Sequence, residues 1–230
     1  PEFDLIALVP KQVRWLVPDG VAAVWTVDDP SWSGRSWNDG LAAALKSRLG
    51  SHDEVQISVA LSHPHPDDVD INRFTRVHPF PLKEWTERLA RPTVTFVSRE
   101  DRTWSPVGRR SLRRLGRQVR VGAGSRDEPW RVSGQSARFA TVGMELRRKW
   151  PDIDVGLVGI GQSGGGPDWF TDLRTTEFGE DVERSWCHRY SASHVVVGIH
   201  GSNMLLPSAH AGTTIGLIPP DRWSNIYQDT

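Results

Sequence analysis

With 230 residues, the chain is long enough for one large or two small domains, and its 37% hydrophobic and 24% charged residues are ordinary for a folded globular protein. Lysine plus arginine and aspartate plus glutamate both total 28, so no net charge attracts nucleic acid or an anionic membrane. The single cysteine, Cys187, excludes an internal disulfide and a zinc site built from several thiolates.

The chain begins with PEFDLIALVP, which carries acidic residues where a signal peptide would be basic. No apolar run along the sequence reaches the roughly 20 residues needed to cross a membrane. We therefore expect a cytoplasmic protein with no membrane span and no nucleic-acid partner.

Short runs rich in β-branched residues, bounded by Gly, Pro or Asp, predict strands along the chain. They lie at residues 5–9, 22–27, 55–61, 93–97, 155–158, 195–199 and 214–218. Several are apolar at successive positions, as strands covered on both faces are. Helical patterns lie between them, which predicts α/β architecture with parallel sheets flanked by helices and a ligand beyond the carboxyl ends of the strands.

Two helical patterns stand out, at residues 38–49 and 134–150. In the second, one face is predicted to be apolar, and Ser133 is the predicted N-cap. The residues expected on that face are Phe139, Val142, Leu146 and Trp150.

A domain boundary is predicted near residues 82–92, LKEWTERLARP, where a proline-rich loop and a short helix precede a new buried strand. Residues 105–133 form a long connection rich in Arg, Gly and Ser, a type of segment that is often functional. Its arginines fit either a solvated amphipathic helix or a basic helix that faces phosphate. They are Arg109, Arg110, Arg113, Arg114, Arg117 and Arg120.

The strongest functional motif follows the predicted strand 195–199, where His200, Gly201, Ser202 and Asn203 lead into an apolar segment. A strand that turns through glycine into a helix start presents backbone N–H groups that suit a diphosphate. The Ser and Asn side chains can cap that helix or donate to a phosphate oxygen, and the imidazole can donate or act as acid or base. A capped turn with a packed histidine is the alternative.

The sequence HVVVGIHGSNMLLPSAHAGTTIGLIPPDRW, from His194 onward, resembles the C-terminal region of glycosyltransferase family 61 and its bacterial relatives. In that family a buried strand precedes His-Gly-Ala or His-Gly-Ser, then an apolar helix and a further strand ending in proline. The strand 93–97 followed by Ser98 and REDR is similar to the family's strand-then-arginine segment. The resemblance covers approximately residues 92–230. It implies a GT-B-like Rossmann domain, a nucleotide-sugar donor and inverting transfer without a bound metal or other cofactor.

Within REDR, Arg99 and Arg102 are the candidate donor-binding arginines, because a guanidinium matches phosphate where no metal neutralises the leaving diphosphate. Glu100, Asp101 and His200 are candidate catalytic groups, and each is of a type that can deprotonate an acceptor hydroxyl. Asp67 and Asp68 of the N-terminal part are further candidates for the base. A surface cluster with internal ion pairs is the alternative interpretation of REDR.

Two rival motifs indicate other functions. His63-Pro64-His65-Pro66-Asp67-Asp68 is similar to the HPDD segment of zinc-dependent sugar N-deacetylases, but Val69 replaces that family's glutamate and a third histidine ligand has no clear counterpart. The sequence GIGQSG at residues 159–164 matches the dinucleotide-binding GxGxxG pattern. Its continuation, GGPD, cannot open the helix that the pattern requires.

These features together predict an acceptor-side α/β domain, complete or partial, at residues 1–90 and a nucleotide-sugar donor-binding domain at 91–230. The predicted activity is transfer of a sugar from a nucleotide sugar to a carbohydrate or natural-product acceptor. The partners are that nucleotide sugar and the carbohydrate or small-molecule acceptor. The zinc-dependent deacetylase and a non-catalytic nucleotide- or sugar-binding module are the alternatives.

Overall fold

The structure is a computed structural model of the chain. It describes residues 4–27, 39–50, 55, 69–99, 129–164 and 168–218. The chain divides into two compact units, Pro1–Phe74 and Thr75–Thr230. The assignment of residues 1–90 to an acceptor side and 91–230 to a donor side stays a prediction.

The described part of the first unit contains a pair of parallel strands and one long helix. Strand β1 is Ile6–Pro10 and continues into a 3-10 helix, Lys11–Leu16, which buries Trp15. Strand β2, Ala23–Val27, pairs with β1 in parallel, and helix α1 spans Asp39–Leu49. The two strand predictions are confirmed to within one residue. The predicted strand 55–61 lies outside the described residues except for Val55.

Strands and helices alternate in the second unit, after a short helix α2, Asn72–Thr75, that contains the division between the units. Two 3-10 turns, Leu82–Glu84 and Ser202–Met204, each lead directly into a short α-helix. In chain order the elements are α3 Trp85–Arg88, β3 Thr93–Ser98, α4 Pro129–Lys149, β4 Asp154–Gly159, β5 Phe170–Asp172, α5 Glu180–Ser191, β6 Val195–Ile199, α6 Leu205–His210 and β7 Thr213–Leu217.

The five strands of this unit form one parallel sheet in the order β5-β4-β3-β6-β7. From β3 the chain first builds outward through β4 and β5, then returns to the other side of β3 with β6 and β7. The order therefore reverses between β3 and β6, which is where open α/β sheets form their ligand crevice. The predicted α/β class with a parallel sheet flanked by helices is confirmed, and the strand order is compatible with a Rossmann-like fold.

Helices cover both faces of this sheet because the central strands are apolar on both. On one face Phe139 of α4 stacks on Phe96 of β3, with ring centroids 4.9 Å apart. On the other face Trp186 and Tyr190 of α5 pack with Val97, and the core there includes Val158, Val196 and Met204. The central strands are thereby held from both sides, which fixes the position of their carboxyl ends.

Helix α4 differs from its prediction in two ways. It begins at Pro129, so Ser133 lies inside the helix and is not its N-cap. A proline suits a first helical turn because the missing N–H has no partner there in any case. The predicted apolar face is partly wrong, since Val142 is 43% and Trp150 46% exposed.

The face that α4 buries follows steps of four residues and includes Gln135 and Phe139. Gly143 continues this row, and a Cβ there would lie 3.1 Å from Val155 of β4. The helix thus comes so close to the sheet that the smallest residue occupies the contact. A glycine in a predicted helix gives no apolar signal, which explains why the prediction placed the face elsewhere.

Two buried histidines lie at the amino edge of the sheet, opposite to the carboxyl ends of the strands. His210 is fully buried, with Nδ1 2.8 Å from the Leu206 carbonyl oxygen and Nε2 2.8 Å from Thr75 Oγ1. The Nδ1 of His194 accepts a hydrogen bond from the backbone N–H of Thr93, and its ring packs edge-on against Trp85. Burial lowers the pKa of both imidazoles below their ordinary value. These histidines act as neutral packing groups.

Helix α5 carries Cys187, which is fully buried. Burial, with the nearby Glu183 carboxylate as a second cause, raises the pKa of this thiol to about 12. None of the helices in the described ranges is long and apolar enough to cross a membrane.

Candidate functional site

The candidate site lies where the strand order reverses, at the carboxyl ends of β3 and β6. Strand β3 ends at Ser98 and delivers Arg99, and β6 ends at Ile199 and delivers the sequence HGSN, which we call the HGSN turn (residues 200–203). The two strands are direct neighbours, with Val97 opposite Gly198. Two motifs about a hundred residues apart in sequence therefore meet at one edge of the sheet.

Gly201 gives the HGSN turn its shape. Its φ of 144° lies in a region that residues with a side chain rarely adopt, so glycine is required by the backbone itself. The Gly201 carbonyl oxygen accepts a hydrogen bond from Met204 N–H, which closes a 3-10 turn before α6. Since α6 is a short helix, the predicted turn into a helix is confirmed only as a compact 3-10 turn followed by six residues of helix.

The first residue of the turn, His200, is only 9% exposed. Its backbone N–H donates to the Leu217 carbonyl oxygen of β7. A Cβ built on Gly216 would lie 3.6 Å from His200 Nδ1, so the imidazole lies against the glycine of the neighbouring strand. This placement is on the β7 side of β6, while Arg99 lies on the β3 side. The predicted roles of His200 in donor binding and acid–base chemistry stay predictions.

Arg99 and Asn203 are in direct contact across the reversal point. Arg99 Nη1 donates to Asn203 Oδ1 at 2.6 Å, and both residues are half-buried. The Asn203 side chain is thus used to orient the arginine. Of the two alternatives for Ser202 and Asn203, helix capping is not found, because neither the 3-10 turn nor α6 has a side-chain cap and their N-cap positions are Gly201 and Met204. Donation to a phosphate oxygen stays a prediction. Ser202 is exposed.

Three buried side-chain atoms around Arg99 make no hydrogen bond within the described part of the chain. They are Asn203 Nδ2, Ser98 Oγ and Gln135 Oε1. Ser98 and Gln135 are both 3% exposed, and Gln135 Nε2 donates to the Arg99 carbonyl oxygen at 3.4 Å. Buried polar groups are normally paired, since leaving one unpaired costs about 1–3 kcal/mol. Such a group of unpaired atoms, at the carboxyl edge where α/β sheets bind ligands, indicates a site that a ligand completes.

Ser98 and Gln135 are not among the site residues predicted from the sequence. A signal existed for Gln135, which is a polar residue four positions before Phe139 on the helix face that packs against the sheet. For Ser98 the signal was its position as the polar residue at the carboxyl end of a buried strand.

Residues 159–164, at the end of β4 and in the loop after it, are held by hydrogen bonds to Asp172 of β5 and to Thr175, which follows β5. Gly161 N–H donates to the Thr175 carbonyl oxygen, and Gly164 N–H donates to Asp172 Oδ2. Gly159 has a φ of 114°, and a Cβ there would overlap the Ser98 carbonyl oxygen. These two N–H groups bind protein oxygens instead of a phosphate, and the next described element is a strand. The rejection of a dinucleotide-binding GxGxxG motif is consistent with both observations.

A nearly buried ion pair supports that loop. The carboxylate of Asp172 accepts from Nε and Nη2 of Arg174, the shorter contact being 2.6 Å, and the side chains are 11% and 13% exposed. Burial alone raises the pKa of Asp172, but the hydrogen bonds and charge of Arg174 and the Gly164 N–H outweigh burial and hold this pKa below its usual value. Arg174 Nη1 also donates to Ser136 Oγ of α4.

The other predicted site residues fall in undescribed segments. Glu100, Asp101 and Arg102, the possible bases Asp67 and Asp68, and the zinc candidates His63 and His65 lie outside the described residues, as do the arginines of 109–120. Within the ranges that are described, no three His, Cys, Asp or Glu side chains are grouped so that they could hold a metal ion. The roles assigned to the residues outside the described ranges therefore stay predictions.

Comparison of the chain with protein-family models, with curated proteins and with solved structures gives no match. The resemblance to glycosyltransferase family 61 therefore depends on the sequence motifs alone, and the function that it implies is a proposal.

Proposed function

We propose that the protein is an inverting, metal-independent glycosyltransferase of GT-B-like architecture. It transfers a sugar from a nucleotide-sugar donor to a carbohydrate or natural-product acceptor. In this proposal the donor diphosphate lies at the carboxyl ends of β3 and β6, beside Arg99 and the HGSN turn. No resident cofactor takes part.

The observation that carries the proposal is the 2.6 Å hydrogen bond from Arg99 to Asn203. The arginine segment and the HGSN turn are separate motifs in the sequence, and the sheet topology brings them into contact at the edge where α/β folds bind ligands. Asn203 uses its oxygen to orient the guanidinium, which leaves its Nδ2 donor without a protein partner in the described chain. The Arg99 guanidinium and the neutral Asn203 amide N–H, which are neighbours through this bond, suit the oxygens of a phosphate group.

The proposed chemistry places these groups on the leaving side of the reaction. The bond between the anomeric carbon and the diphosphate oxygen breaks, and negative charge grows on that oxygen, where the Arg99 guanidinium stabilises it. An acceptor hydroxyl attacks from the opposite side and loses its proton to a base, for which Glu100, Asp101 and His200 are the candidates. Arg102 is the second candidate for the diphosphate.

Two other functions remain as alternatives. The zinc-dependent deacetylase would bind one metal ion through the HPHPDD segment, and elemental analysis that finds one equivalent of zinc would favour it. Turnover of a nucleotide sugar that persists in EDTA would favour the transferase. A binding module would bind the same donor as the transferase but would not cleave the bond between the sugar and the diphosphate. Measuring released nucleoside diphosphate therefore separates these two.

The test of the donor site is calorimetric titration with inorganic pyrophosphate and with ADP, CDP, GDP and UDP and their glucose derivatives. Arg99→Ala removes the guanidinium, and Asn203→Asp keeps the size of the side chain while placing a carboxylate on Arg99. Hydrogen bonds to a charged group contribute about 1.5–3 kcal/mol, so both variants should weaken binding roughly 10- to 100-fold.

The matched control is Arg148→Ala, since the Arg148 side chain is 80% exposed on α4. Its affinities should equal those of the wild type. Binding of diphosphates that is the same in Arg99→Ala and Asn203→Asp as in the wild type would refute the proposed donor site.

A further inference from the structure

Ser98 and Gln135 follow the stacked Phe96 and Phe139 towards the carboxyl edge, on the α4 face of the sheet. Ser98 is two residues beyond Phe96 on β3, and Gln135 is one helical turn before Phe139 on α4. The Phe96 and Phe139 rings stack at 4.9 Å, so the next side chains towards the edge face the same space. The bond from Gln135 Nε2 to the Arg99 carbonyl oxygen also places the amide beside the residue that follows Ser98.

The orientation of the Gln135 amide is set by this bond. Its nitrogen must face the Arg99 carbonyl oxygen, because two oxygens would repel, so its oxygen is the atom left without a partner. Ser98 Oγ is also without a partner in the described chain, so the hydroxyl does not donate to the amide oxygen. The pair therefore offers an acceptor, Gln135 Oε1, and a hydroxyl that both donates and accepts.

A phosphate group cannot complete this pair. At neutral pH a phosphate diester of a nucleotide sugar has only acceptor oxygens, and Gln135 Oε1 needs a donor. A ligand hydroxyl satisfies both atoms, since its O–H can donate to Gln135 Oε1 while its oxygen accepts from Ser98 Oγ. On a nucleotide sugar, the groups attached directly to the diphosphate are the ribose and the transferred sugar, and both carry hydroxyls.

We propose that Ser98 and Gln135 form a subsite for a sugar hydroxyl next to the diphosphate held by Arg99 and Asn203. This inference rests on the proposed donor site and adds a specificity-determining pair to it. The hydroxyl belongs to the ribose or to the transferred sugar, and the choice of probes distinguishes the two.

The test compares Ser98→Ala with the wild type in thermal unfolding and in titrations with pyrophosphate, with UDP, GDP, ADP and CDP, and with their glucose derivatives. In the ligand-free protein the substitution removes a buried hydroxyl that has no partner among the described residues, so the melting temperature should stay the same or rise. Affinity for pyrophosphate should not change. Affinity for the sugar-bearing probes should fall about tenfold, as expected for the loss of a hydrogen bond.

The pattern across the probes identifies the hydroxyl. A loss that is equal for a nucleoside diphosphate and its glucose derivative assigns it to the ribose, and a loss confined to the glucose derivative assigns it to the transferred sugar. Gln135→Met should give the same pattern of affinities. Ser208→Ala, in which an exposed serine of α6 loses its bond to the Leu205 carbonyl oxygen, is the matched control and should leave all affinities unchanged.

Two results would overturn the subsite alone. One is a Ser98→Ala variant that binds every sugar-bearing probe as tightly as the wild type while binding still depends on Arg99. The other is a variant that melts at a lower temperature with unchanged affinities, as expected if a buried water occupies the pair. If no probe binds, or if binding does not depend on Arg99, the donor site itself is wrong and the subsite is refuted with it.

Discussion

Replacing Asp172 by Asn tests the ion pair that supports the loop after β4. Asn keeps the shape of the side chain and can still accept from the Arg174 side chain, but its amide nitrogen then faces donors at Arg174 Nη2 and Gly164 N–H. Both side chains are almost nine-tenths buried, so solvent compensates the guanidinium only in part. Breaking a fully buried pair costs about 3–5 kcal/mol and an exposed pair less than about 1 kcal/mol, so we expect a loss of roughly 2–3 kcal/mol.

Urea unfolding at pH 7 measures this loss as a lower midpoint at unchanged m-value, with a melting temperature lowered by roughly 5–10 °C. The matched control is Glu145→Gln, which removes an exposed pair with Arg148 on α4 and should cost no more than about 0.5 kcal/mol. Because the pKa of Asp172 is below the ordinary 3.8, its stabilisation is present above that value and is lost as the pH falls through the folded pKa. The penalty should therefore shrink in acid, and a penalty equal to that of the control would refute the argument.

Two further predictions concern the turn and the buried histidines. Gly201→Val should destabilise the fold by about 1–3 kcal/mol and abolish pyrophosphate binding, because the side chain is incompatible with a φ of 144°. Circular dichroism measures the loss of stability, and calorimetry measures the loss of binding. Wild-type stability and affinity would contradict the strain argument. The pKa values of His194 and His210 are lowered by burial, so the unfolded state binds more protons below the ordinary value of 6.5. The unfolding free energy should thus fall as the pH drops below 6.5, by at most about 1.4 kcal/mol per pH unit for each histidine. His210→Gln should reduce this slope. Urea unfolding between pH 5 and 8 measures the slope in both proteins.

The sequence predicts well those strands that are covered on both faces of the sheet, because their residues are apolar at successive positions. Strand β6 is found at the predicted residues 195–199, since four branched aliphatic residues and one glycine form an unbroken apolar run in which every residue is buried or half-buried. Strand β5, only Phe170–Asp172, was missed because three residues at the edge of a sheet are too few to show a period. Helix α5 was not singled out either, because charged residues outnumber the three buried residues that hold it to the sheet.

The candidate site was predicted in its parts but not in its assembly. Arg99 and Asn203 were both named from their motifs, while their contact spans 104 positions and depends on β3 and β6 being neighbours. Strand order is decided by how connections cross the sheet, and no local pattern in the sequence records it. Helix capping by Asn203, one of the two alternatives for this residue, is not observed for the same reason, since the charged Arg99 beyond a distant strand uses the side chain that a local rule assigns to the helix end.

The burial of Cys187 has a practical use. A thiol with a pKa of about 12 in a closed core contains almost no thiolate at neutral pH, so maleimides and similar reagents should leave the native chain unmodified. A cysteine introduced at the exposed Ser202 would then be the only reactive thiol in the protein. A fluorophore attached there would report directly on what enters the edge of the sheet between β3 and β6, with no need to remove a native cysteine first.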